Sequence, residues 1–314
     1  MMKHRFAPLM LLVLALAAAS CEKVIEIDDD PSQAKLVLNA IPMPGSQAFV
    51  YFARTRFFLD PSNNQPVSVD RMTLTANGTP YAPEADSNCR YFFPYTIAEG
   101  DSLTIDILSA GREVTASTVV PYIPVISDLA LTNLADVRTF RFYQADFNFQ
   151  DHPGLREYYA LSVSVRDSGA RFNQWRQTLD TVDTIHSTYF LIANSPGITD
   201  AEASYSKPMA NRLYTRNLFN DNLIDGQLTP VSLLILNLTD TNEVEPFKHE
   251  YIVTLESVTP QRMQYLIDVS RQASSGGVFS EQGRVYSNVD GALGIFAAAA
   301  RSRFTFCPDT LRRN

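Results

Sequence analysis

The sequence predicts an all-β protein with minor α: an N-terminal immunoglobulin-like or transthyretin-like β-sandwich, then a larger β-rich domain with one helix. Short runs of alternating apolar and polar residues recur from Ala34 onward. Gly, Pro, Asn and Asp punctuate them, and helical spacing is credible only near residues 260–273. With 314 residues the chain is long enough for about two domains. A hydrophobic content of 45% against 19% charged excludes extended disorder. A formal charge of −8 argues against a nucleic-acid partner held through its phosphates.

The chain opens with MMKHRFAPLMLLVLALAAASC, in which Lys3 and Arg5 precede an apolar run from Phe6 to Ala19. At ~1.5 Å per helical residue the run covers roughly 20 Å, short of a hydrocarbon core of about 30 Å. Residues 1–20 therefore read as an export signal and not as a membrane span. Ala18, Ala19 and Ser20 stand immediately before Cys21. That arrangement resembles a bacterial lipobox, which implies that Cys21 is lipidated and becomes the mature first residue. Ala18 stands where Leu is commoner. Residues 21–33 follow as a tether, with Asp28, Asp29 and Asp30 in a row closed by Pro31. The acidic run also resembles the surface-export signals of Bacteroidota lipoproteins. Loss of Lys3 and Arg5 with the signal makes the mature chain more acidic still.

Residues 34–121 hold the expected first sandwich. LVLNAI (36–41) is a strand stopped by Pro42 and Pro44, and QAFVYFARTRFF (47–58) is a longer one. MTLTANGTPY (72–81) contains Asn77-Gly78, a hairpin signal because both residues tolerate positive φ. CRYFFPY (89–95) crowds Tyr91, Phe92, Phe93 and Tyr95, which cannot all share one face. SLTIDILSAGREVTASTVV (102–120) reads as two strands around Ser109-Ala110-Gly111, with Leu103, Ile105 and Ile107 on one face.

PYIPVISDL (121–129) marks the boundary, since Pro121 and Pro124 stiffen the chain and remove donors. The second domain, 128–314, starts with TFRFYQADFNFQ (139–150) and EYYALSVSV (157–165), joined by a turn on Pro153-Gly154. VSLLILNL (231–238) is nearly continuous in apolar residues and so a buried central strand, with KHEYIVTLESV (248–258) as its expected neighbour. Thr259 caps and Pro260 starts a helix over 260–273, whose Met263, Leu266 and Ile267 form a core-packing stripe ended by Gly276-Gly277. GRVYSNVDGALGIFAAAARSRFTF (283–306) closes the chain as two strands around a Gly-rich bend. No period of 20 to 50 residues is visible, which disfavours solenoids and propellers.

The start CEKVIEID, the FQDHPGLREYY turn, FNDNLIDG (219–226) and VYSNVDGALGIF (285–296) together resemble one group. It is the Bacteroidota outer-membrane lipoprotein family classed as domain of unknown function 4249. The likeness covers essentially the whole mature chain, most specifically through Tyr286-Ser287-Asn288, Gly291 and Gly294. It implies an outer-membrane setting near TonB-dependent uptake receptors, and it carries over no catalytic residue. Where many relatives have Gly-Gly, this chain has Gly291-Ala292 and continues with Ala297 to Ala300.

Chemistry-bearing patterns are sparse. There is no G-x-S-x-G elbow, H-E-x-x-H, C-x-x-C or calcium-binding loop, and no motif calls for a cofactor. His152 belongs to an exposed turn, His249 to a solvated strand face, and His186 can pair with Asp183. Asp28 to Asp30 can at most bind Ca²⁺ loosely, because a flexible tether is no preorganised cage. Asp146 and Asp151 flank a strand end, and nothing selects a pair of carboxylates for glycoside hydrolysis. Cys89 and Cys307 either bridge the two domains or remain buried thiols. Trp175 lies in RFNQWRQ between Arg171 and Arg176. It either packs against those guanidinium groups or presents a surface for a sugar or a partner protein. The sequences around Thr181 and Thr184 resemble short O-glycosylation acceptors of Bacteroidota.

The leading expectation is a non-enzymatic envelope lipoprotein, anchored through Cys21, that captures a ligand or docks on a TonB-dependent receptor. The alternative is an adhesin-type protein assembling through sandwich edges. An enzyme acting on glycans or peptides is the third. Neither the ligand nor the membrane face follows from the sequence.

Overall fold

The computed structural model describes residues 34–55, 66–85, 88–137, 140–173, 175–206, 214–238, 243–274 and 285–308. The export signal, Cys21, the tether with Asp28 to Asp30, and the Gly276-Gly277 helix stop lie outside the described residues. All elements below belong to one unit, Lys35–Thr55 with Pro61–Asn314.

The first sandwich is built from β1 (Leu36–Ala40), β2 (Gln47–Arg54), β3 (Arg71–Ala76), β4 (Thr79–Tyr81), β5 (Glu84–Ala85), β6 (Arg90–Thr96), β7 (Ser102–Ser109) and β8 (Arg112–Val119). One sheet runs β1-β2-β6-β5 and the other β4-β3-β7-β8. Period-two alternation decides what faces inward: Leu38, Val50 and Phe52 come from the first sheet, Leu74, Leu103, Ile105 and Ile107 from the second. Leu103, Ile105 and Ile107 share the inner face that their spacing predicts, each at most 2% exposed. Asn77 and Gly78 take φ of 50° and 83°, so the β3–β4 hairpin turns at the dipeptide chosen for it. In β6, Phe93 enters the core, while Tyr95 leans on Tyr81 with ring centroids 4.9 Å apart.

The second sandwich comprises β9 (Val125–Val137), β10 (Phe140–Gln150), β11 (Tyr158–Asn173), β12 (Thr178–Ser187), β13 (Phe190–Ala193), the short helix α1 (Pro196–Thr199), β14 (Arg216–Asn220), β15 (Leu228–Leu238) and β16 (Glu243–Val258). Helix α2 (Pro260–Ser274), β17 (Leu293–Phe296) and β18 (Ala299–Phe306) end the order. Its sheets run β13-β15-β10-β9 and β12-β11-β16-β18. Phe147, Phe149, Leu233 and Ile235 meet Tyr159, Val163, Tyr251 and Val253 between them. Burying each such side chain contributes roughly 1.5–3 kcal/mol.

β15 is central, as its apolar run predicts, with β13 and β10 on its two sides. β16 corrects the expected pairing. It lies in the facing sheet, between β11 and β18, because alternation reports how deep a strand sits and not which strand it bonds. The strand after Pro124 already begins at Val125, so Pro121 to Pro124 are the connection itself. The 47–58 strand is described only to Arg54, with residues 56–58 outside the described residues.

Helix α2 starts where the capping pattern places it. The Arg262 amide donates to Thr259 Oγ1 at 3.3 Å, and Met263 N–H to the Thr259 carbonyl at 2.9 Å. Met263, Leu266 and Ile267 pack on Ala160, Leu218, Val258 and Ala299, a third apolar cluster.

The closing segment differs from expectation, because both of its strands follow the Gly-rich bend. β17 adds to the first sandwich, parallel to β1 with Leu38 opposite Gly294. Val289, Phe296 and Ala298 enter that sandwich's core, while β18 joins the second. Gly294 has φ of 120°, and a Cβ there would lie 2.0 Å from the Leu38 carbonyl oxygen. Only glycine lets the two backbones approach this closely. Asn288 fixes the same place: its Nδ2 donates to the Phe296 carbonyl (2.8 Å) and its Oδ1 accepts from the Phe296 amide (2.9 Å).

Candidate functional site

β14 pairs with β11 from Tyr158 to Ser162, and β12 pairs with it from Ser164 to Asn173. The β11–β12 hairpin therefore carries a ladder of its own out to the loop that holds Trp175. Around that loop the strands leave much surface uncovered: every β12 residue is exposed or half-buried. The hairpin neck is built from local polar bonds. Asn173 Oδ1 accepts the amides of Trp175 and Arg176, both at 3.1 Å. Asn173 Nδ2 donates to Asp180 Oδ2 at 2.8 Å, and Thr178 Oγ1 donates to Asp180 Oδ1 at 3.0 Å. These two donors hold the Asp180 carboxyl below the usual carboxylate range.

Trp175 is 98% exposed, so neither neighbouring guanidinium covers its ring. Arg171 instead reaches inward, its Nη2 standing 3.7 Å from Asp167 Oδ2. Phe172 and Leu179, opposite each other in the register at the base of the loop, add exposed apolar surface. Trp175 is the one position the sequence offers as a binding candidate, and its ring is open to solvent. Thr181 and Thr184 are both exposed on β12. Three residues apart on a strand, they point to opposite faces.

The histidines sit differently from expectation. Asp183 is held by Arg166 through two bonds of 2.9 and 3.0 Å, so it is not the partner of His186. That carboxyl is lowered by the Arg166 bonds. His186 Nδ1 lies 3.8 Å from Asp167 Oδ2 instead. His249 Nδ1 is 2.9 Å from Asp167 Oδ1, and its side chain is only 11% exposed, not on a solvated face. Register brings them together, because Asp167 stands opposite His249 on β16 and two residues, so on the same face, from Val165, the partner of His186 on β12.

His152 is half-buried, with its ring 5.2 Å from that of Tyr122 and its Nδ1 3.0 Å from Glu157 Oε2. Beside it lies a group the sequence did not single out. Asp151 is 0% exposed, Glu157 7%, Asp221 3% and Tyr159 1%. Asp151 was expected to be an ordinary strand-end aspartate; it is a fully buried one. Its carboxyl is pushed up to about 6, chiefly by burial and further by Glu157 and Asp221, against bonds from Tyr159 and the Gly226 amide. Tyr159, held between two carboxyls in the same dry surroundings, is displaced far above the ordinary phenol range. Acidic residues on both sides of two glycine-containing turns, DHPGLRE and DNLIDG, were the available signal. Spacing alone did not reveal that the turns meet.

Asp146 receives Gln144 Nε2 at 2.9 Å and forms no pair with Asp151. Cys89 is buried and Cys307 half-buried. Among the described residues no group of three or more His, Cys, Asp or Glu is arranged to hold a metal ion. No described helix is long and apolar enough to cross a membrane.

A family model described as domain of unknown function (DUF4249) matches residues 22–305. No curated protein matches the chain. Among solved structures, a Parabacteroides merdae β-glucuronidase aligns at 8% identity and TM-score 0.19, over 72% of this chain and 23% of that one. The chain thus spans less than a quarter of that protein. The Enterococcus faecalis MSCRAMM ACE, described as binding its ligands by the collagen hug model, aligns at 10% identity and TM-score 0.25 over 89% of this chain and 94% of that one. The collagen-binding domain of the Erysipelothrix rhusiopathiae surface protein RspB gives 8%, TM-score 0.22, 86% and 95%. Similarities this low carry no argument about function.

Proposed function

We propose, for a chain that belongs to the family described as domain of unknown function DUF4249, an envelope lipoprotein that works by contact and not by bond-making. Cys21 fastens it to the outer membrane, and the β11–β12 hairpin docks on a partner protein of a TonB-dependent uptake system. The observation that carries the docking is the 98% exposure of Trp175, whose backbone amide donates to Asn173 Oδ1. An indole of about 200 Å² gains on the order of 5 kcal/mol when covered, before ordering costs. Rigid aromatic residues of this kind are the usual energetic centres of protein interfaces. The Cys21 anchor rests on the lipobox resemblance. The test is a pull-down from native membranes with the wild-type chain and Trp175→Ala. Co-purification of an outer-membrane receptor with the first and its loss with the second supports the reading; recovery of the wild type alone overturns it.

A second reading has an observation of its own. β12 is an edge strand carrying the exposed Leu179 and Ile185, which suits assembly by strand addition. Concentration-dependent ladders of the purified chain in sedimentation, abolished by a proline in β12, favour this assembly over receptor docking.

A further inference from the structure

Tyr159 Oη lies 2.7 Å from Asp151 Oδ1 and 2.7 Å from Glu157 Oε2. A phenol has one proton and can donate it once. The second short contact between oxygens needs a proton of its own, and only a carboxyl can supply it. The surroundings decide which one. Glu157 Oε2 also accepts the His152 amide at 3.2 Å, lies 3.0 Å from His152 Nδ1, and belongs to a residue that keeps 7% of its surface exposed. Asp151 has the Gly226 amide on Oδ2 at 2.8 Å and no exposed surface. Asp151, the more deeply buried of the two carboxyls, is the one that holds the proton. The chain of bonds runs from Asp151 Oδ1–H to Tyr159 Oη, and from Tyr159 Oη–H to Glu157 Oε2.

We propose that Asp151, Tyr159 and Glu157 form a proton-dependent latch, closed while Asp151 holds its proton, that clamps the 151–157 turn to the 221–226 turn. When Asp151 gives that proton to solvent, two buried carboxylates face each other across one hydroxyl, and the two turns loosen together. Every charged group around the latch bears on this balance. Asp221 Oδ2 accepts the Glu157 amide at 2.6 Å, adding a third buried carboxyl. Arg156 Nε stands 3.6 Å from Asp221 Oδ1, and Asp225 Oδ1 holds the Gly154 amide at 2.8 Å. His152 joins the latch to Tyr122 in the connection before β9, so opening reaches that segment too. The placement of Asp151 near 6 by burial agrees with the bond count.

The linkage sign follows. A carboxyl raised from 3.8 to about 6 in the fold contributes stability that is fully present below 3.8 and is lost as pH rises through about 6.

The test is carboxyl ¹³C NMR of the full chain labelled at Asp and Glu, with amide hydrogen exchange followed over the same pH range and corrected for intrinsic rates. One carboxyl should titrate near pH 6, and it should vanish in Asp151→Asn. Protection of the Gly226 and Glu157 amides should fall about tenfold through that midpoint in the wild type. It should stay level in Asp151→Asn, whose amide keeps the proton-bearing geometry. Titration of every wild-type carboxyl below about pH 5 overturns the proposal, and so does protection that stays level through the midpoint. Both of these are read on the wild type, so neither depends on the variant folding.

Discussion

Phe172 stands opposite Leu179 in the β11–β12 register, and both side chains keep surface in contact with water, 36% and 62% exposed. With Trp175 at the loop they give the tip of the hairpin three exposed apolar side chains. Folding gains nothing from leaving an indole in water, and the proposed docking would give the ring a use outside the fold. Trp175→Ala should change stability by no more than about 0.5 kcal/mol. Calorimetry should find the melting temperature within about 1–2 °C of the wild type. Partner recovery from native membranes should fall by about tenfold or more, the loss expected of a central interface residue.

Much of this architecture is legible in the sequence, for reasons that differ by element. The face of Leu103, Ile105 and Ile107 follows from local periodicity, and the Asn77-Gly78 turn from what two residues can do with positive φ. The α2 stripe likewise depends only on near neighbours. Partners are another matter. Nothing within β16 distinguishes β15 from β11, and nothing near Gly294 announces Leu38, 256 residues away. The buried carboxyls were missed for the same reason: Asp151 and Gly226 meet only once two distant turns are folded. The exposure of Trp175 is legible because it breaks a pattern, a large apolar ring in a polar stretch.

Gly294→Ala tests the closing strand. The added methyl would sit 2.0 Å from the Leu38 carbonyl oxygen, at a φ of 120° that L-residues rarely adopt. Both the clash and the backbone strain act on the β1–β17 pair, so the cost should reach about 3 kcal/mol or more. Chemical denaturation should show the midpoint falling. Asn77→Gly suits the same turn with its φ of 50°, but it removes the 2.7 Å bond to the buried Asp101, so it too should cost about 1–2 kcal/mol.

Cys21→Ser tests the anchor separately from the docking. Several acyl chains together hold a protein almost irreversibly, at ~0.8 kcal/mol per buried CH₂, and serine accepts none of them by this route. The variant should move from the membrane fraction to the soluble fraction on fractionation of the native host. Its circular dichroism should match the wild type, because every residue of the two sandwich cores is unchanged. An unlipidated Cys21 in the mass spectrum of the wild type would remove the anchor from the proposed function and leave the hairpin untouched.

Acid stability should depend on Asp101. Its carboxylate is 5% exposed and accepts three bonds of 2.7 Å, from Asn77 Nδ2, Tyr95 Oη and the Ala98 amide. Burial pushes the carboxyl up, but the donors outweigh it, and the group ends below its ordinary 3.8. The same contact, with burial, pushes the Tyr95 phenol up to about 12. A lowered folded value means that Asp101 contributes stability above pH 3.8, lost as pH falls through the lower folded value. Asp101→Asn removes the charge and turns one acceptor oxygen into a donor facing other donors. At pH 7 the variant should be about 2 kcal/mol less stable than the wild type, the usual range for hydrogen bonds to a charged group. The gap should narrow as pH falls below 3.8, where the native carboxylate begins to take up its proton. Paired denaturation curves at pH 7 and at about pH 2.5 measure it, and a gap that stays constant would assign the loss to shape and not to charge.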